Sequence, residues 1–174
     1  MAASDGDPGD DTLCPIAHST GLVGDRWSIL IVRELLMGQG RFQDLQAQTG
    51  ATSQMLAARL KRLEADGLVE RHAYSQRPPR HEYRLTPKGR HLMPVILALR
   101  TWGEQWCKPE GEPTATRMFH RACGSELELD GQCPACEILV PWTDMRGQPS
   151  EAWAEERRQR AAAFTDHLRG AAKA

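Results

Sequence analysis

The chain has 174 residues, 40% hydrophobic and 26% charged, with a formal net charge of −1. That balance suits a soluble globular protein with one substantial core, or a core plus a small appendage. No run approaches the ~18 apolar residues of a membrane span, and no charged-then-apolar leader opens the chain. The expected location is therefore the cytoplasm, with no membrane partner.

Residues 1–12 (MAASDGDPGDDT) are rich in Gly, Asp and Ala and have little to bury, so they are expected to be disordered. From Leu22 to Met37 the apolar density predicts one central, mostly buried helix, carrying Trp27, Ile31, Val32 and Leu35. Gly38-Gln39-Gly40 ends it. A short helix over about 41–48 turns Phe42 and Leu45 inward, and Thr49-Gly50-Ala51 reverses the chain. Thr52 is a plausible N-cap for a helix running to about Asp66, with Leu56, Leu60 and Leu63 as one apolar stripe. Gly67 is the expected residue just past its end.

Residues 68–74 (LVERHAY) and 81–85 (HEYRL) alternate as two strands. Between them sit Arg77, Pro78, Pro79 and Arg80, a tip whose prolines restrict the backbone and present the two arginines stiffly. Tyr83 and Leu85 anchor this hairpin on the core side. Thr86-Pro87 caps a helix running to about Trp106 with Leu92, Val95, Ile96, Leu99 and Trp102, which Pro94 should kink or break. Residues 108–116 (KPEGEPTAT) form a polar linker, 117–142 hold a cysteine cluster, and 150–169 read as a final helix with Trp153, Ala161, Phe164 and Leu168 loosely aligned.

The order helix, helix, turn, helix, strand, tip, strand, long helix is a winged helix-turn-helix plan. The fold class is mainly α (α+β): a winged domain over 13–107 with a long dimerisation helix, and a Cys-rich extension over 117–174. In that plan the Thr52–Asp66 helix enters a DNA groove. With Leu56 set inward at 100° per residue, Gln54, Ala58, Lys61 and Ala65 face outward, flanked by Met55 and Arg62. Amides and cations read purine edges and phosphates. Arg59 lies nearer the boundary and could hold a phosphate or a core carboxylate. Arg77 and Arg80, with Gln76 beside them, suit phosphate contact, which needs only presented charge. The charge distribution agrees: residues 13–108 hold 14 Lys/Arg against eight Asp/Glu, between two acidic ends. A solvated helix face is the competing reading of the helix alone; the stiff cationic tip favours DNA.

Three stretches together carry a resemblance: the Trp27 segment CPIAHSTGLVGDRWSILIVRELLMG, then RLKRLEADGLVER, and above all PPRHEYRLTPKG. From Cys14 to about Trp106 the chain resembles the HxlR family of bacterial transcription regulators. The resemblance implies a dimeric winged helix-turn-helix protein on a palindromic or repeated double-stranded operator, with both repressors and activators known; repression is the expectation here, and the effector is open. It carries recognition and wing roles onto Ser53, Gln54, Arg59, Arg62, Arg77 and Arg80, with Thr52 opening the helix. It implies dimer contacts from the N-terminal segment and the long helix, which suits Trp102 and Trp106. It also aligns Cys14 with a cysteine that some members use to sense oxidants or electrophiles. A thiolate near a helix dipole or cations suits that chemistry, and an inert buried cysteine is the alternative.

Five cysteines, Cys14, Cys107, Cys123, Cys133 and Cys136, are an odd set without a secretory leader, which argues against a disulfide framework. His120, Cys123, Cys133 and Cys136 spell H-x2-C-x9-C-x2-C, a candidate Cys3His zinc site, with Cys107 as a substitute for His120. Gly124 and Gly131 suit tight knuckle turns. Two other readings use the same residues: a thiol-disulfide oxidoreductase built on Cys133-Pro-Ala-Cys136, and a zinc-bearing protein-interaction module. The first needs its pair at a helix N-terminus in a βαβ framework, which this pattern lacks. The six histidines are scattered singly, so no catalytic site is expected.

Overall fold

The computed structural model describes residues 12–77 and 79–171. The expectations for residues 1–11 and for Pro78, and those for the side chains of Gln76 and Pro79, lie outside the described residues. The chain divides into one unit up to Leu92 and a second from Met93.

In the first unit the predicted central helix is two helices, α1 (Pro15–Val23) and α2 (Arg26–Leu36). The break has a local cause. Gly24 ends α1 with its N–H donating to the Thr20 carbonyl, and Asp25 then adopts an extended conformation. One Asp25 oxygen accepts the Trp27 and Ser28 backbone N–H groups at 3.0 and 3.1 Å. Such a side-chain cap satisfies donors a helix start otherwise leaves unpaired. Helix α3 (Phe42–Thr49) follows, and Gly50 takes the left-handed conformation (φ 73°) that leads into α4 (Ser53–Ala65). Thr52 caps α4 through the Met55 N–H, and beyond its end Leu68 N–H reaches back to the Leu63 carbonyl at 2.9 Å around Gly67.

Strands β1 (Val69–Gln76) and β2 (Pro79–Leu85) form an antiparallel hairpin whose register runs from Val69↔Leu85 to Gln76↔Pro79. The predicted strands stop short of this. Pairing continues into the expected tip, with Pro79 opening β2, where a missing N–H is tolerated. The hairpin is seated on the helices at Gly40, whose carbonyl accepts the Tyr83 N–H at 2.7 Å. A Cβ at Gly40 would strike the Tyr83 carbonyl, so this approach requires glycine. The core joins α2, α3, α4 and the hairpin: Ile31, Val32, Leu45, Leu56 and Leu63 are fully buried, with Leu60, Val69 and Leu85 nearly so. Thr86 then caps the single turn α5 (Pro87–Arg90).

The second unit opens with α6 (Met93–Trp106). The predicted long helix is therefore two, broken at His91–Leu92. Pro94 sits in the first turn of α6, where its lack of an N–H removes no helical bond. Four further strands follow. β3 (Thr116–His120) pairs antiparallel with β6 (Met145–Pro149), and β4 (Gln132–Cys133) pairs with β5 (Ile138–Leu139). Their core is small: Met118, Leu127, Cys133 and Val140, with Leu97 of α6 and Met145 against it. The polar linker is tied back to α6, since Glu104 accepts from the Ala115 N–H and from Lys108, both at 2.9 Å. The last helix, α7 (Glu151–Ala171), half-buries Trp153 and Phe164, whereas Ala161 and Leu168 of the predicted stripe are exposed.

Candidate nucleic-acid interface and metal centre

Burying Leu56, Leu60 and Leu63 fixes the roll of α4 about its axis. The same roll leaves Thr52, Ser53, Gln54, Ala58, Lys61 and Arg62 exposed. Ser53 is held by the Gln46 side chain at 2.9 Å, a polar link from α3 to the start of α4. The two arginines of the helix have protein partners as well. Arg59 is half-buried and pairs with the Asp25 carboxylate at 3.3 Å. Arg62 donates to the Gly21 carbonyl at 2.7 Å, and its Nε lies 3.8 Å from Asp66. Lys61 and Gln54 therefore offer the outward polar groups of the middle and start of this face. On the hairpin Arg77 and Arg80 are both exposed. Arg41 lies over the Tyr74 ring at 5.2 Å and adds a third cation beside the strands. Sequence reasoning missed Arg41, because long-range contacts, the Arg41–Glu82 bridge among them, bring the α3 cap to the hairpin.

The second constellation lies within the C-terminal unit. One ligand atom from each of His120, Cys123, Cys133 and Cys136 lies within 4.8 Å of the others, and Cys107 is not in the group. Two knuckles of the same form build it. In the first, His120 and Cys123 are followed by left-handed Gly124 (φ 74°), whose N–H donates to the His120 carbonyl at 2.8 Å. In the second, Cys133 and Cys136 are followed by left-handed Glu137 (φ 56°), whose N–H donates to the Cys133 carbonyl at 2.8 Å. A non-glycine residue in that conformation is uncommon and marks a turn the fold enforces.

Three of the six edges of this group are close to metal-site lengths. Cys123 Sγ lies 3.6 Å from Cys133 Sγ and 3.2 Å from His120 Nδ1, and Cys136 Sγ lies 3.5 Å from the same nitrogen. A tetrahedron with Zn–S near 2.3 Å and Zn–N near 2.0 Å has edges of about 3.8 Å (S···S) and about 3.5 Å (S···N). His120 turns its other nitrogen, Nε2, to Asp144 at 3.1 Å, and a proton held there would leave Nδ1 to ligate. Asp144 was not legible from spacing. It lies 24 residues on and arrives through the β3–β6 pairing, in which His120 faces Met145. Burial pushes the Cys133 thiol up, but hydrogen bonds from the Cys136 backbone, His120 and Cys123 outweigh it and bring it down to about 6. Hydrogen bonds to Cys123 and Cys133 hold the proton on Cys136, which burial also favours, pushing it up to about 11. Negative charge thus settles first on Cys133, and a bound metal would have to displace the proton from Cys136. Cys133 ends β4 and Cys136 lies in the turn that leads to β5, and no helix begins there.

The HxlR-like helix-turn-helix pattern matches residues 22–111, more than half of the chain. The chain belongs to the HxlR family. It is a helix-turn-helix transcriptional regulator with a winged, MarR-like fold and a Cys-bearing C-terminal unit. An HTH-type transcriptional regulator of Mycobacterium tuberculosis, Rv3095, is 39% identical over 135 residues, covering 77% of this chain and 84% of its own. That alignment is too long to end at residue 111, so it continues into the cysteine-bearing segment. The crystal structure of PA1607 superposes with a TM-score of 0.62 at 32% identity, covering 78% of this chain and 94% of its own. The redox regulator HypR in its oxidised form superposes with a TM-score of 0.51 at 36% identity, covering 53% of this HxlR chain and 96% of its own. The relatives are transcription regulators, a non-enzymatic class. HxlR-type regulators bind DNA and typically dimerise. Among the described residues no helix is long and apolar enough to cross a membrane.

Proposed function

We propose that this HxlR-family regulator is a homodimer that binds a specific double-stranded operator and represses transcription by occupying it. The observation that carries this reading is α4, with a buried leucine stripe on one side and Gln54, Ala58 and Lys61 exposed on the other. Small and amide-bearing residues on that face admit close approach to a major groove. Thr52 and Ser53 open the helix toward the backbone, while Arg77 and Arg80 lie along flanking phosphate. Arg59 and Arg62 act through protein contacts and steady the helix. On α6, Val95, Leu99, Trp102 and Trp106 are 45–68% exposed and uncharged, the face for a second copy. Such a protein works in the cytoplasm, on the nucleoid.

Two further roles belong to this reading. Cys14 is exposed at the start of α1, with its N–H on the Thr12 hydroxyl at 3.1 Å, and would report thiol-reactive or oxidative signals. The likeness to HypR, a redox regulator, supports a thiol signal of this kind. The His120, Cys123, Cys133 and Cys136 group would hold Zn²⁺, supported by its edge lengths and its two matched knuckles. Zinc with four protein ligands is a structural site with no open position for catalysis.

Selection of binding sequences from random duplexes by the full-length protein, followed by footprinting, tests the DNA reading. The expected product is two half-sites related by symmetry and about one helical turn (10 bp) or a multiple of it apart. Recovery of no enriched sequence would leave the reading without support.

A further inference from the structure

We propose that Zn²⁺ in the His120/Cys123/Cys133/Cys136 site controls self-association, because the metal holds the platform that presents α6 to a second copy of this chain. The inference rests on the zinc reading above and adds its consequence. Helix α6 has no fully buried residue. At 14 residues it is a length at which an isolated helix is marginal in water. What orders it is one face. Leu97 packs on the small core. Arg100 donates to the Thr116 carbonyl at 3.1 and 2.5 Å, and Thr101 donates to the Leu129 carbonyl at 2.8 Å. Glu104 accepts from the Ala115 N–H at 2.9 Å. These four positions follow i, i+3, i+4, i+7 spacing.

Those contacts end within residues 115–140, the stretch that carries all four ligands. Thr116 begins β3, which carries His120. Leu129 lies in the loop between the two knuckles, and the core under Leu97 includes Cys133, at once a buried core residue and a ligand. The segment from Ala115 to Ser150 is shorter than the ~40 residues below which a domain usually needs a metal or disulfides. Its four-residue core and short strands supply little else.

On the opposite side of α6, about 170° away at 100° per residue, lie Val95, Leu99, Trp102 and Trp106. Their 4-3-4 spacing is that of a helix–helix seam, and an identical helix supplies the matching seam. A second copy is the occupant this favours: the four positions carry no charge to select a different partner, and regulators of this family typically dimerise. Two faces of one helix thus connect the metal to the dimer.

The test uses the full-length protein. Metal content is measured by elemental analysis, and the dimer dissociation constant by sedimentation equilibrium, before chelation under reductant, after it, and after one equivalent of Zn²⁺ is returned. The expected result is one zinc per chain, a dissociation constant raised at least tenfold on stripping, and full recovery on reloading. Asp144→Asn, which leaves all four ligands in place, should shift the Zn²⁺ titration of both metal uptake and dimerisation by roughly 10-fold to 100-fold, the usual effect of removing a ligand's hydrogen-bond partner. Trp102→Ala with Trp106→Ala should stay monomeric with zinc fully bound. A stripped chain that dimerises within twofold of the loaded one would overturn the inference while leaving zinc binding intact. Loss of the winged unit's own melting transition on stripping would also overturn it, because the device acts through α6. Absence of metal in both the purified and the reloaded protein would remove the zinc reading itself.

Discussion

Asp25 joins the start of α2 to α4, and Asp25→Ala tests how much that junction contributes. The carboxylate accepts the Trp27 and Ser28 backbone N–H groups, accepts the Ser28 hydroxyl at 2.5 Å, and pairs with Arg59 at 3.3 Å. Losing an N-cap of this type costs about 1–2 kcal/mol. Ser28 is 1% exposed, so its hydroxyl loses its partner inside the protein, for about 1 kcal/mol more. The Arg59 pair is part-exposed on both sides, which limits it to about 0.5 kcal/mol. Because the contacts share one side chain, the sum is not additive, and a total of about 2–3 kcal/mol is expected.

The pH dependence of Asp25 has a definite sign. Burial pushes its carboxyl up, but the Ser28 hydrogen bonds and the Arg59 charge outweigh this and hold it below its ordinary 3.8. A depressed folded-state value stabilises the protein above the unfolded value, and the contribution is lost as pH falls through the folded one. Urea melts of wild type, Asp25→Ala and Asp25→Asn should therefore differ at pH 7, with the gap to Asn narrowing as pH falls below about 4. An alanine variant within 0.5 kcal/mol of wild type at pH 7, or a gap that widens in acid, would refute the reasoning.

Other outcomes follow from single positions. Leu60→Ala empties a site that is 1% exposed on the buried side of α4 and should lower stability by about 2–5 kcal/mol in urea melts; a loss under 1 kcal/mol would contradict the packing. Gly40→Ala drives a methyl into the Tyr83 carbonyl and should destabilise by about 1–3 kcal/mol, with hydrogen exchange rising at the Tyr83 amide. Arg77→Ala and Arg80→Ala should each reduce the salt slope of DNA binding by about 0.9 without moving the melting temperature. Cys14→Ser should abolish any effect of diamide on DNA binding while leaving binding under reductant unchanged; a retained diamide response would place the signal elsewhere.

Much of the winged unit is legible in the sequence because local rules and burial agree there. Thr52, Gly50 and Gly67 bound α4 by capping and turn chemistry, and the Leu56/Leu60/Leu63 spacing orients it without further information. The Gly24–Asp25 break was hidden by the apolar run around it. Leu22, Val23 and Trp27 suggested continuity, while the capping signal, Asp25 with Ser28 three residues later, was the informative one. Pro94 drew attention from the real break at His91–Leu92, since a proline in the first turn begins a helix as readily as it ends one. In the C-terminal unit the H-x2-C-x9-C-x2-C spacing points to the four residues that the fold assembles but leaves Cys107 open as a substitute for His120, and only the fold decides between them. Strand β6 and Asp144 were not legible, because five residues (MRGQP) with two breakers do not read as a strand until β3 supplies their pairing. Nor could spacing tell which cations have protein partners: Arg59 and Arg62 resemble Lys61 in sequence, and their links to Asp25 and Gly21 come from the fold.

The central claim is that α4 and the hairpin together hold DNA. Fluorescence anisotropy of a selected duplex with a variant combining Gln54→Ala, Lys61→Ala, Arg77→Ala and Arg80→Ala tests it most directly, with thermal melting as the control for folding. The account predicts affinity reduced about 100-fold or more and a flatter salt dependence, at an unchanged melting temperature. A variant that melts like wild type and binds the same duplex with undiminished affinity would contradict it.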